Sequence, residues 1–171
     1  MKRVTHDFSN KKTLLTLYNS YIRSRLEYCS QVWSPSCAVY VNKLERVQER
    51  FLKYMCFKNN IMYDNYDYVS LCSMFKLKSL KSRRNISDLC FFNKILTNNI
   101  NCSYSVGEIS LNVPARRHRD KPTFFVRYRL LCRKDSYFLR VMELANRLDL
   151  YDTLVMNDPV VFKRFAIDFI T

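Results

Sequence analysis

Apolar residues recur at three- and four-residue steps along most of this chain, the spacing that lines one face of an α-helix. The first such stretch follows Asn10, whose side chain suits an N-cap, and runs to about Trp33. Leu14, Leu15, Leu17, Tyr18, Tyr21, Ile22, Leu26, Tyr28, Cys29, Val32 and Trp33 leave a narrow polar stripe at Thr16, Ser20, Arg23, Glu27 and Ser30. A helix apolar over most of its girth is expected to be central. Pro35 stops it, because proline lacks an N–H and disfavours a helical residue before it. A second helix is expected over 38–57, with Val41, Leu44, Val47, Phe51, Tyr54 and Met55 inward. Lys43, Arg46, Arg50 and Lys53 form a neighbouring stripe at the same period. Glu49 and Lys53 are an i,i+4 pair in the favourable order, worth ~0.2–0.5 kcal/mol. The seam between the two helices is expected to close around Trp33, the only tryptophan.

The pattern continues less regularly. Residues 58–67 are polar and tyrosine-rich and read as a loop, and a short helix is expected over 66–75. Ser79 suits the cap of a helix reaching about Ile100, with Leu80, Ile86, Leu89, Cys90, Phe91 and Ile95 inward. Its first turns carry Lys81, Arg83 and Arg84, against the preference of a helix N-terminus for anions. Two readings stand: the charges are solvated, or they face a phosphate. Asn101–Val113 is irregular, holds Gly107, and reads as the join between a front and a back half. Beyond it, Phe124, Val126, Tyr128 and Leu130 fall on one face of an expected strand, with Arg127 and Arg129 on the other. Ser136 suits the cap of a helix over 137–148, and Asp158-Pro159 the start of a last one. The fold expected is mainly α: a helical hairpin over 1–60, then a helical region over 61–171 with a short basic β-strand or hairpin within 113–134. The two parts can pack as one domain.

Composition narrows the function classes. The chain has 171 residues, 48% of them apolar, enough for a packed core. One glycine excludes Gly-rich phosphate loops and a hairpin-rich β fold. The formal charge of +14 favours a polyanionic partner. Much of it lies in 116–134, where eight basic residues face Asp120 alone. Seven cysteines with no C-x-x-C spacing give neither a zinc site nor a disulfide framework. They read as reduced, mostly buried thiols of an intracellular protein, nuclear or cytoplasmic and not secreted. No apolar run approaches the ~20 residues of a membrane span, and the basic residues are spread over several elements instead of one amphipathic helix. No metal, cofactor or membrane partner is therefore expected.

No adjacent aspartates occur, and Asp64 with Asp67 lacks a third carboxylate of the kind that holds Mg²⁺. These acids read as loop or cap residues, and His6 and His118 as surface residues. Phe125 and Tyr128, interleaved with arginines, are the aromatics that stacking on bases would use, although core packing is the simpler role.

Several strings carry a resemblance. Leu14-Leu15-Thr16-Leu17-Tyr18, Arg23, Leu26-Glu27-Tyr28-Cys29-Ser30-Gln31-Val32-Trp33-Ser34-Pro35 and Leu44-Glu45-Arg46-Val47-Gln48-Glu49-Arg50-Phe51-Leu52 come first. Leu77-Lys78-Ser79-Leu80-Lys81-Ser82-Arg83-Arg84, Asp88-Leu89, Phe91-Phe92-Asn93-Lys94-Ile95-Leu96 and Val113-Pro114-Ala115-Arg116 follow. Together they resemble the segment after the polymerase core in non-LTR retrotransposon reverse transcriptases of the jockey kind. The resemblance implies that 1–60 is thumb-like and grips a template–primer duplex. It also implies a truncated, non-catalytic piece, because the fingers, the palm with its Asp-Asp metal site and the endonuclease are absent. The chain is thus not expected to be an enzyme by itself. The partner expected is an RNA or RNA–DNA duplex backbone. Its contacts would be Lys43, Arg46, Arg50 and Lys53, with Arg83, Arg84, Arg116, Arg117, Arg119, Arg127 and Arg129. The alternative is a structural module whose exposed apolar helix faces pack on a palm or self-associate.

Overall fold

In the computed structural model, residues 5, 7, 10–62, 67–101, 107, 109–112, 123–126, 136–156 and 158–170 are described. They are mainly helical: α1 (Lys11–Leu17), a π-helical stretch (Tyr18–Arg23), α2 (Ser24–Glu27), α3 (Ser30–Trp33), α4 (Ala38–Lys58), α5 (Tyr68–Met74), α6 (Leu80–Leu96), α7 (Tyr137–Leu148), α8 (Tyr151–Met156) and α9 (Pro159–Phe169). The expected basic strand is not borne out. Its described part makes one isolated antiparallel bridge, Leu111 to Phe124, and residues 127–130 lie outside the described residues.

The single helix expected up to Trp33 is broken. Asn10 caps α1 by accepting from the Lys12 amide at 2.9 Å, as its position suggested. The hydroxyls of Thr16, Ser20 and Ser24 then each donate to the carbonyl four residues back. Such back-bonding competes for carbonyl oxygens and bends helices, and here the backbone shifts to the wider i→i+5 turn over Tyr18–Arg23. At Cys29 the chain takes a left-handed φ of 50°, which ends α2. The central role expected of this stretch is also corrected. Leu14 and Tyr18 are buried, but Tyr21, Tyr28 and Val32 are exposed.

The chain divides into two compact units. One holds Met1–Ser30 with Cys37–Arg83, the other Gln31–Ser36 with Arg84–Thr171. The boundary expected at 60/61 falls inside the first, because Leu71, Cys72 and Phe75 complete the same core as α1 and α4. That core comprises Leu14, Tyr18, Phe51, Leu52, Met55 and Cys56, with Tyr18 and Phe51 stacked at 4.0 Å between ring centroids. Trp33 lies in the other unit and is partly exposed, so the seam of the first is closed by this stack instead.

Gln48 sits in the middle of that core. Its Oε1 accepts from the Tyr18 hydroxyl at 2.9 Å. Its Nε2 donates to the Tyr68 hydroxyl at 3.0 Å and to the Lys78 carbonyl at 3.0 Å. A buried amide is tolerated because both its ends are satisfied. Burial raises the pKa values of both tyrosines, and at Tyr68 the bond to Glu45 adds to the rise.

In the second unit Ile86, Leu89 and Phe92 of α6 pack with Val141, Met142 and Ala145 of α7, Leu150 before α8, Leu154 of α8, and Phe162 and Ala166 of α9. The α6 helix stops at Leu96, short of the expected Ile100, and Asn98 takes a φ of 56° just after it. Asn146 pairs with both backbone groups of Phe124, accepting from its N–H at 2.9 Å and donating to its carbonyl at 2.8 Å. This places the buried Phe124 ring edge-on to Phe92, with centroids 5.4 Å apart. Asp158 caps α9 through the Val160 amide, with Pro159 in its first turn, as its sequence suggested.

Arg140 ties the Trp-Ser-Pro segment into this unit. Its Nε donates to Asp88 at 3.0 Å, Nη1 to the Ser34 carbonyl at 3.0 Å and Nη2 to the Gln31 carbonyl at 3.1 Å. The Asp88 carboxyl is held above the usual carboxylate range by burial, against the opposing pull of Arg140 and Arg84. Desolvation therefore outweighs the ion pair.

Candidate nucleic-acid interface

The α4 helix spans 21 residues, about 32 Å at ~1.5 Å per residue. One side is fixed inward by Gln48, Phe51, Leu52, Met55 and Cys56. The other presents Lys43, Arg46, Arg50 and Lys53, all exposed, at steps of three and four. They run along one face for about 15 Å of helix axis. A duplex strand carries one charge per ~3.4 Å, so this length matches about four phosphates.

Few counter-charges touch the stripe. Lys53 pairs with Glu49 at 2.7 Å, the i,i+4 contact expected. An exposed pair of this kind contributes little and is readily exchanged for another anion. Lys43, Arg46 and Arg50 make no ion pair among the described residues. The Lys43 ammonium lies 5.4 Å from the centre of the exposed Tyr40 ring.

The cations at the start of α6 have a different fate. Two glutamates supply the anion that this helix end calls for. Glu45, from α4, accepts from the Leu80 amide at 3.1 Å and the Lys81 amide at 2.6 Å, and also from the Tyr68 hydroxyl at 2.5 Å. Ser79 acts as the expected cap, accepting from the Ser82 amide at 3.1 Å. Glu27 takes Arg83 in a two-pronged pair, one arm at Nε and the other at Nη2, 2.9 Å long. That bond raises the Arg83 pKa despite partial burial. Arg84 is buried, at 2% exposure. Arg83 and Arg84 therefore do not extend the exposed stripe. For Arg83 the two open readings give way to a third, a protein carboxylate standing where a phosphate would, while the Lys81 side chain is exposed.

The other sites expected from sequence scatter. Arg116, Arg117, Arg119, Arg127 and Arg129 lie outside the described residues, as do Tyr128, Asp64, His6 and His118. Phe125 is half exposed beside the buried Phe124. Asp67 caps α5, accepting from the Tyr68 amide at 2.8 Å. Cys56 and Cys72 are buried and Cys90 is intermediate, while Cys29 and Cys37 are exposed, so the thiols are not uniformly interior. Among the described residues no group of three or more His, Cys, Asp or Glu side chains could hold a metal ion, and no helix is long and apolar enough to cross a membrane.

Sequence reasoning missed Glu45 and Gln48 because both sit inside a helix among charged residues that look solvated. The available signal was Gln48 itself, which stands three and four residues before the inward Phe51 and Leu52.

No family model, no curated protein and no solved structure matches this chain.

Proposed function

We propose that this chain binds nucleic-acid backbones without reading sequence, through the exposed face of α4, and has no polymerase chemistry of its own. The observation that carries this reading is the alignment of Lys43, Arg46, Arg50 and Lys53 on one exposed helical face, with Glu49 the one acid paired to them among the described residues. The resemblance to the thumb of jockey-like reverse transcriptases favours an RNA or RNA–DNA duplex as the partner. The basic residues of 113–134 would add to the same electrostatic attraction.

Affinity for a duplex measured across salt concentrations tests it. Each phosphate neutralised on duplex DNA adds about −0.9 to the log–log slope, so four contacts from α4 account for about −3.6. A variant with Lys43, Arg46, Arg50 and Lys53 all changed to Gln should lose that share of the slope. Undetectable binding at low salt, or an unchanged slope in the variant, refutes the reading.

A second reading has an observation of its own. On α9, Val160, Val161, Phe165, Ile167 and Phe169 are exposed, and Phe165 and Phe169 stack at 5.4 Å. Such a face suits an interaction module that packs on a polymerase palm or self-associates. Light scattering with and without nucleic acid separates the two. An oligomer indifferent to nucleic acid favours the second, and a monomer that binds duplex favours the first.

A further inference from the structure

The first helical stretch turns an unusual face outward. Tyr21 is 66% and Tyr28 75% exposed, with the exposed Arg25 between them in sequence. At 3.6 residues per turn, positions 21 and 25 would continue the inward line of Leu14 and Tyr18. The π-helical stretch over Tyr18–Arg23 takes roughly one more residue per turn. Ile22 then takes the inward place and packs against the core. Tyr21 and Arg25 are rotated into solvent. The irregular turn therefore has a definite product, the exposed pair Tyr21 and Arg25, and the exposed Tyr28 follows at the C-cap of α2.

Along this stretch the charge is almost all positive. Between residues 10 and 36 the sole acid is Glu27. Its carboxylate is held by Arg83 in the two-pronged pair, with Arg23 at 3.8 Å. Nothing acidic is left on this stretch to oppose Arg25. The two tyrosines stand seven positions apart, one within the π-helical stretch and the other at the C-cap of α2.

We propose that Tyr21, Arg25 and Tyr28 form a stacking site for the unpaired bases of single-stranded RNA or DNA, with Arg25 meeting an intervening phosphate. Aromatic side chains stack on any base, and a cation beside them tracks the backbone. This site is distinct from the α4 stripe, whose cations address the backbone alone.

The test uses the full chain with a single strand carrying 2-aminopurine and, separately, a blunt duplex. Replacing Tyr21 and Tyr28 with Ala should weaken single-strand binding at least about fivefold per tyrosine and abolish the 2-aminopurine quench, leaving duplex affinity unchanged. Replacing both with Phe should preserve binding, because the ring is what stacks. Arg25→Gln should flatten the single-strand salt slope by about 0.7. Both tyrosines are exposed, so circular dichroism of the Ala variant should match the parent. Full single-strand affinity in the Ala variant assigns the tyrosines to a protein partner and overturns the proposal. An equal loss on duplex, or a parent chain that binds duplex only, overturns it too. The α4 reading stands or falls separately, on duplex binding by the α4 Gln variant.

Discussion

Replacing Glu45 with Ala removes one carboxylate that serves three donors: the Leu80 amide, the Lys81 amide and the Tyr68 hydroxyl. The Lys81 amide is exposed and water can replace its partner. The other two donors are partly buried. A stranded buried donor costs ~1–3 kcal/mol, and hydrogen bonds to a charged acceptor lie toward the upper end. The carboxylate also opposes the positive end of the α6 dipole, worth ~0.3–1 kcal/mol. Together these give a loss of about 2–4 kcal/mol, a large part of the ~5–15 kcal/mol that holds a domain folded. Glu45→Gln keeps an acceptor oxygen and loses the charge, so about 1–2 kcal/mol is expected. Urea unfolding followed by circular dichroism gives the size of the effect, and amide hydrogen exchange at Leu80 and Lys81 gives its place. Glu49→Ala is the control. It removes only an exposed pair with Lys53 and should cost under ~0.5 kcal/mol. If Glu45→Ala costs no more than the control, and exchange at Leu80 and Lys81 is unchanged, the capping argument is wrong.

Other outcomes follow from the same contacts. Tyr18→Phe keeps the stack on Phe51 but leaves Gln48 Oε1 without its donor, so a loss of about 1–2 kcal/mol is expected in urea unfolding. Asn146→Ala strips both backbone partners from Phe124 and should cost about 2 kcal/mol, read most directly as faster exchange of the Phe124 amide. For Asp88 the pH sign is set by its raised folded-state pKa. The folded chain binds this proton before the unfolded chain does. Its contribution is therefore fully present below the ordinary carboxylate pKa and is lost as pH rises through the folded value. A urea midpoint that rises on acidification relative to Asp88→Asn supports this; a relative fall contradicts it.

Much of the helix map was legible because it rests on periodicity. The span expected over 38–57 is α4, that over 137–148 is α7, and Asp158-Pro159 opens α9. The first stretch defeated the same reasoning. Its hydroxyls at Thr16 and Ser20 read as part of the polar stripe of a regular helix, and Ser24 continues them at the same four-residue step. What periodicity does not reveal is that each hydroxyl turns back onto the helix's own carbonyls. The site was legible in part for a related reason. Side chains that need no partner, such as Arg46 and Arg50, are placed correctly by helical spacing alone. Side chains whose position depends on a distant contact are not. Arg83 meets Glu27 fifty-six positions away, and no local pattern announces that pairing.

Glu27 and Glu45 change how the charge should be counted. A sequence count treats them as partial neutralisers of the basic surface nearby. In the first unit both carboxylates are turned onto the start of α6, one to Arg83 and the other to the helix amides. Gln48, one turn beyond Glu45, meets the Lys78 carbonyl just before that helix. Residues from three separate strings, around Glu27, around Glu45 and around Lys81, thus form one polar clasp. Glu27 and Glu45 are consumed in holding the fold. The cations of α4 are left with Glu49 as their one acidic contact among the described residues. The two effects have a common cause. A helix N-terminus rich in Lys and Arg needs an anion, and taking it from α4 makes the outer face of α4 more positive than its composition suggests. Folding therefore concentrates positive charge on the outer face of α4.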